Sequence, residues 1–140
     1  MAIDKNLIKA KLEELKTAIR KIENMDLTME MILGDEDIQD LIDRRMQIAI
    51  ESCIDISTHL SAGLELHRKE YASDVFLLLG ENNILSNDIA RKMAGAVGLR
   101  NILVHEYAEI DYKLAYSDLE AKLKDLKTFG REIIEFLEKH

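Results

Sequence analysis

Asp37-Ile38-Gln39-Asp40-Leu41-Ile42-Asp43-Arg44-Arg45-Met46-Gln47-Ile48-Ala49-Ile50-Glu51-Ser52-Cys53-Ile54-Asp55-Ile56 is the stretch on which the fold turns. Ile38, Leu41, Ile42, Met46, Ala49, Cys53 and Ile56 recur at steps of three and four, which lines them along one face of a helix. Polar and charged residues fill most of the positions between them, the arrangement of a helix with one face in a core. The period predicts a long helix over about Asp37 to Leu66, introduced by Gly34 and Asp35.

Working outward, the same period holds on both sides. Upstream, Ile8, Leu12, Leu15, Ile19 and Ile22 form an apolar stripe with lysines and glutamates between, which predicts a first helix over about Asp4 to Asn24. A methionine-rich connection through Met25, Met29 and Met31 joins the two. Downstream, Asp74-Val75-Phe76-Leu77-Leu78-Leu79-Gly80 has strand-like composition but no alternating segment to pair with, so a short helix is expected, with Gly80 near its C-terminal end. Ser86, Asn87 and Asp88 supply N-cap chemistry for a helix through Ile89, Met93, Ala96 and Val97 toward His105. A last helix starts near Asp111 or Ser117 and carries Tyr116, Leu119, Leu123, Leu126, Ile133 and Leu137, with Gly130 where the stripe would otherwise hold an apolar side chain. The chain has no proline and six glycines, of which only Gly95 and Gly98 are close together, so little breaks these segments. The expectation is an all-α, antiparallel bundle of about four to five helices, one domain over residues 1–140.

With 140 residues, 47% apolar and 33% charged, the chain can bury a core without cross-links and is unlike a disordered segment. Its 27 acidic and 19 basic side chains leave a formal charge of −8, which disfavours a general DNA-coating or membrane-surface role. Cys53 is the only cysteine, which excludes an intramolecular disulfide and a CxxC zinc site. Met1-Ala2-Ile3-Asp4-Lys5 has no apolar signal-peptide core, and no stretch approaches a membrane span. A soluble cytoplasmic protein without a membrane partner is expected.

Reactive side chains concentrate in Arg100-Asn101-Ile102-Leu103-Val104-His105-Glu106-Tyr107. Asn101 and His105 share a helix face, whereas Arg100 lies about 140° round from His105 and depends on its long arm to converge with it. An arginine beside a histidine can perform phosphoryl chemistry, the guanidinium stabilising transition-state charge and the imidazole moving the proton of an attacking hydroxyl. RNA carries such a hydroxyl at its 2′ position. On spacing alone, a histidine capping the helix and an arginine in a surface ion pair account equally simply for the pattern, and more often.

The stretch from Met93 to Tyr107, with its RN-x3-H-x-Y core at Arg100, Asn101, His105 and Tyr107 and with Ile110-Asp111 after it, resembles the signature of HepT-like proteins of the HEPN superfamily. Arg44, Gln47-Ile48-Ala49-Ile50-Glu51, Ile54-Asp55-Ile56 and His59 resemble that family's second helix, and Phe76-Leu77-Leu78 its short third segment. The likeness covers roughly residues 40–137. It implies a helical bundle that dimerises, bringing the arginine and histidine of both chains into one cleft, and a ribonuclease activity that needs no metal or other cofactor. Arg100 and His105 would carry catalysis, with Asn101 positioning Arg100 or the RNA substrate through its amide, or else making a structural hydrogen bond. The resemblance further implies a toxin whose partner antitoxin is a minimal nucleotidyltransferase (MNT) that attaches AMP to the motif tyrosine, which matches Tyr107. An adenylylated phenol there would bring bulk and a negative phosphate to a cleft meant for RNA.

The acidic charge opposes an RNA enzyme unless Arg44, Arg45, Arg91, Lys92 and Arg100 gather near one groove. It favours the rival reading of a non-catalytic module that docks a nucleotidyltransferase or a nucleotide. Glu51, Asp55 and His59 fall on one helix face, but no glutamate is followed by histidine three residues later, so a di-iron pattern is missing and metal binding is not expected. Like charges four apart ask for a cation, with Arg44 or Arg100 as candidates. Cys53 reads as a small core residue, and His59, His67 and His140 as surface or packing residues. Tyr112 and Tyr116 read as packing neighbours at the start of the last helix, with Tyr112 a fallback AMP acceptor.

Overall fold

The computed structural model describes residues 3–105 and 110–140, residue 105 by its backbone alone. Among the described residues there are seven helices and no strand. The first, α1 (Lys5–Asn24), is capped by Asp4, whose carboxylate accepts from the Leu7 N–H at 3.1 Å. Its stripe is buried as the period requires, through Ile8, Leu15, Ala18, Ile19 and Ile22.

The expected connection after α1 holds a helix of its own. Asp26 takes a left-handed φ of 52°, and Thr28 then caps α2 (Met29–Gly34), accepting from the Met31 N–H at 3.2 Å. Six residues are too few for a resolvable period, so only the Thr28 cap could have signalled this helix.

The long helix α3 (Glu36–Gly63) starts on the Asp35 cap and buries Ile42, Met46, Ala49, Ile50, Cys53, Ile56 and Leu60. It ends earlier than the expected Leu66. Glu65 adopts a φ of 56°, while Leu66 N–H bonds Ser61 O at 2.9 Å and Glu65 N–H bonds Ala62 O at 3.1 Å. That is a Schellman ending with glutamate, two residues after the last helical residue Gly63, in the left-handed position where glycine is the usual marker.

Next comes α4 (Ala72–Glu81), helical as expected, which closes in the same manner on Asn83, φ 59°, with Ile84 N–H bonding Leu79 O at 3.0 Å. The helix α5 (Asn87–His105) follows. Both expected starts of the last helix are used: Asp111 caps α6 (Tyr112–Tyr116), and a separate α7 (Leu119–Lys139) begins after Asp118.

The five longer helices form the bundle, and α3 is its central member, packing against α1, α4, α5 and α7. Phe76 of α4 meets Phe129 of α7 edge to face with centroids 5.8 Å apart. α1 and α7 run antiparallel, since Leu15 lies beside Gly130 while Glu23, further along α1, pairs with the earlier Lys127 at 2.5 Å. Each fully buried Ile, Leu or Phe stabilises the fold by about 1.5–3 kcal/mol, so the shared core outweighs any single polar contact on the surface. No helix among the described residues is long and apolar enough to cross a membrane.

Candidate active site

The site is built on α5. Ser86 caps that helix through its hydroxyl, which accepts from the Ile89 N–H at 3.2 Å, and Glu132 of α7 holds Ser86 by its N–H at 2.7 Å and its hydroxyl at 3.0 Å. The start of α5 is thereby tied to α7. Ile89, Ala90, Met93, Val97 and Leu99 then bury its inner face. Gly80 of α4 faces this helix, and a Cβ there would stand only 2.7 Å from Ala90 Cβ, so glycine permits the close crossing.

Toward its C-terminus α5 divides its polar residues between two faces. Arg100 is half-buried, three residues after the buried Val97 and four before the half-buried Val104, so its stem packs on the bundle side. Its Nε is buried and has no hydrogen-bond partner among the described residues. An unpaired donor of this kind costs about 1–3 kcal/mol, a penalty that an anionic acceptor would remove. The surface ion pair that spacing alone suggested for Arg100 is absent among the described residues. Asn101 is exposed on the outer side, beside Ile102. The backbone of His105 ends α5; its side chain and the whole of Tyr107 lie outside the described residues.

The five cations considered for an RNA groove have separate fates. Lys92 pairs with Asp88 at 3.1 Å and with Asp125 of α7 at 3.7 Å, and the Asp88 hydrogen bond leads in raising its pKa. Arg45 donates to the Lys21 carbonyl near the end of α1 at 3.4 Å. Arg44 and Arg91 are exposed and, like Arg100, make no ion pair among the described residues.

The acidic line on α3 also finds different company than expected. Asp55 pairs with Lys11 of α1 at 3.3 Å rather than with Arg44 or Arg100, and Glu51 accepts from Gln47 at 3.4 Å. Lys11 holds its proton more firmly as a result, chiefly through the Asp55 hydrogen bond. Helix packing, not sequence spacing, set this pairing. Cys53 is fully buried, and that burial pushes its thiol pKa up, which removes it from nucleophilic chemistry. His59 and His67 are exposed, and His140 stacks on Phe136 with ring centroids 4.1 Å apart.

One polar cluster escaped the sequence reading. Asp43 of α3 accepts from the hydroxyls of both Tyr112, at 2.5 Å, and Tyr116, at 2.6 Å, and the two rings stack 6.0 Å apart. Burial is the main cause that raises both phenol pKa values well above the usual 10, with the Asp43 hydrogen bond next. Tyr112 therefore keeps its proton to higher pH than an ordinary phenol, with its hydroxyl engaged by a carboxylate. The only hint in the sequence was an aspartate directly after Ile42, at the edge of a buried stripe.

Known proteins resemble the chain over most of its length. The mRNA nuclease HepT of Shewanella oneidensis is 28% identical over 124 residues, covering 89% of this chain and 93% of that protein. The tRNA nuclease HepT of Aphanizomenon flos-aquae is 29% identical over 119 residues, 85% and 80% of the two. Among solved structures, the tri-AMPylated Shewanella oneidensis HEPN toxin in complex with MNT antitoxin superposes with a TM-score of 0.85 at 28% identity, over 92% of this chain and 97% of that one. The cytosolic protein YutE of Bacillus subtilis, 17% identical with a TM-score of 0.84 over 99% and 94% of the two chains, shares the fold. The ribonuclease HepT-like family model matches residues 15–133, which takes in every helix from the middle of α1 to the middle of α7 together with the RN-x3-H-x-Y stretch, and the chain belongs to that family.

Proposed function

We propose that this protein is the toxin ribonuclease of a toxin–antitoxin pair, one helical domain that works as a homodimer in the cytoplasm and cleaves RNA without a metal through Arg100 and His105. The observation that carries the reading is family membership over residues 15–133, which includes the RN-x3-H-x-Y stretch, combined with Arg100 on α5, whose buried Nε has no partner among the described residues. His105 takes the proton of the ribose 2′ hydroxyl, and the 2′ oxygen forms a bond to phosphorus as the bond from phosphorus to the 5′ oxygen breaks. The 5′ oxygen leaves as a hydroxyl by taking a proton from water, and the product strand ends in a 2′,3′-cyclic phosphate. Arg100 stabilises the extra charge on the phosphorane oxygens. Asn101, on the exposed side of the same turn, positions the RNA backbone or Arg100 through its amide.

Control is by a cognate MNT-type nucleotidyltransferase, which attaches AMP to Tyr107. Support comes from the solved relative that is a tri-AMPylated HEPN toxin bound to MNT antitoxin. The net charge of −8 favours one other reading, a docking module that binds the nucleotidyltransferase and leaves RNA intact.

The test has two arms. Arg100→Ala and His105→Ala each reduce cleavage of RNA by about 10²-fold or more at unchanged helicity and oligomeric state, and a 2′-deoxy substrate is not cut. Intact mass after incubation with the nucleotidyltransferase and ATP shows added AMP, and Tyr107→Phe removes it. Equal cleavage by parent and both variants overturns the catalytic assignment. RNA left intact by the unmodified parent, with the partner bound, establishes the docking module instead.

A further inference from the structure

We propose that the cleft between α3, α5 and α7 is a subsite for a guanine base of the RNA strand, lying beside Arg100 and setting where the strand is cut. The subsite rests on the ribonuclease reading. The cleft encloses about 270 Å³, just under the range of about 300–1,000 Å³ for sites that take whole drug-sized ligands, which is room for one base. Its floor is apolar, built on the buried Met46, Met93, Leu99 and Leu126, and thioethers make favourable contacts with aromatic rings. One wall is the α5 backbone itself. Gly95 is exposed in the interior of that helix, where glycine costs stability, and a Cβ there would meet nothing within 4 Å. Packing within the chain therefore does not call for glycine here, in contrast to Gly80, whereas a flat ring lying on the backbone does.

The rim decides which ligand fits. Lys92 lies beside Asp125 and also pairs with Asp88, and Lys122 pairs with Asp118. Three carboxylates around two ammonium groups offer a phosphate no net attraction, so the cleft suits an uncharged base. Lys92 Nζ and Asp125 Oδ1 stand 3.7 Å apart, longer than a hydrogen bond, which leaves the carboxylate with acceptor capacity. Among the four bases only guanine has two adjacent N–H donors on its Watson–Crick edge, at N1 and the 2-amino group, followed by the O6 acceptor. The carboxylate of Asp125 takes the donors and the ammonium of Lys92 gives to O6. The reach to the reacting groups follows from α5. Lys92, Ala96 and Arg100 are successive i, i+4 neighbours, so they share a face, and Arg100 stands about 6 Å beyond Ala96 along the axis. Leu99, on the floor of the cleft, precedes Arg100 directly. A strand with a phosphate on the Arg100 guanidinium thus reaches the cleft with a base about one or two nucleotides away.

The experiment measures kcat/KM on uridine oligoribonucleotides that carry a single guanosine, inosine or adenosine, with the cut sites mapped, for the parent, Asp125→Asn and Gly95→Leu. The parent is expected to favour the guanosine oligomer over the adenosine one by about tenfold or more and to cut it at a fixed offset from the guanosine. Inosine, which lacks the 2-amino group, loses most of that preference. Asp125→Asn, with one acceptor oxygen in place of two, and Gly95→Leu, whose side chain fills the cleft, each bring the ratio to within about threefold. Both variants fold as the parent does, because the space at Gly95 is open and Asp125 contributes one long ion pair. A purely structural effect lowers cleavage of all oligomers equally, so a parental ratio kept by either variant overturns the subsite. Equal cleavage of the guanosine and adenosine oligomers by the parent overturns it as well and leaves the ribonuclease reading standing; competition by guanosine monophosphate, lost in Gly95→Leu, then assigns the cleft to a free nucleotide instead. A parent that leaves every oligomer intact overturns the ribonuclease reading, and the subsite with it.

Discussion

Gly80→Ala probes how closely α4 and α5 approach. The added Cβ would lie 2.7 Å from Ala90 Cβ and 3.4 Å from Asn87 Oδ1, about 0.7 Å short of ordinary contact at the first of these. A methyl on a helix backbone is no flexible tip, so the helices themselves must separate. That loosens Phe76, Leu79, Ile89 and Met93, all buried near this crossing. Overpacking of this sort costs about 1–3 kcal/mol. Replacing a helical glycine by alanine returns up to about 1 kcal/mol, less here because Gly80 is next to the last residue of α4. The net expectation is about 1–2 kcal/mol of destabilisation, a fall of roughly 0.5–1 M in the urea midpoint at unchanged slope when unfolding is followed by circular dichroism. Adding Ala90→Gly removes the opposing methyl, so the double variant should be less destabilised than the sum of the single changes by about 1 kcal/mol or more. A Gly80→Ala midpoint at or above the parent's, or strict additivity, would refute the close-crossing argument.

Gly130→Ala is the opposite case: the new Cβ would meet Leu15 Cδ2 at 3.6 Å and Leu12 Cδ2 at 3.9 Å, ordinary contacts, so helix propensity should raise Tm by about 2–5 °C in calorimetry, and a lower Tm would show a clash that these distances exclude. Tyr116 keeps its proton to higher pH in the folded chain than its usual 10, because of burial first and Asp43 second. The native state then binds more protons than the unfolded one above pH 10, so stability that is complete below that pH is lost as pH rises beyond it; Tyr116→Phe, weaker at pH 7, should show a flatter decline in urea midpoint above pH 10, and parallel declines would contradict the linkage.

The −8 charge looks different once partners are known. Asp88 and Asp125 engage Lys92, and Asp55 engages Lys11, so part of the acidity serves contacts within and between helices. Arg44, Arg91 and Arg100 remain without ion pairs among the described residues, the form in which cations can meet phosphate.

The sequence by itself determined the all-α class, the four long amphipathic helices and the contiguous RN-x3-H-x-Y stretch, because each is written in spacings of a few residues that local geometry converts directly into a helix face or a shared turn. It could not place the ends of α3 and α4, where Glu65 and Asn83 take left-handed conformations without glycine. Nor could it choose Lys11 over Arg44 as the partner of Asp55, or show that the guanidinium Nε of Arg100 is buried without a partner among the described residues. The bonds from Tyr112 and Tyr116 to Asp43 span 69 and 73 positions, a separation at which nothing in the local pattern of one segment specifies the other. Only the tertiary placement of α6, which packs beside α2, brings those groups within reach, since partners distant in sequence are chosen by which helix faces the core has already joined.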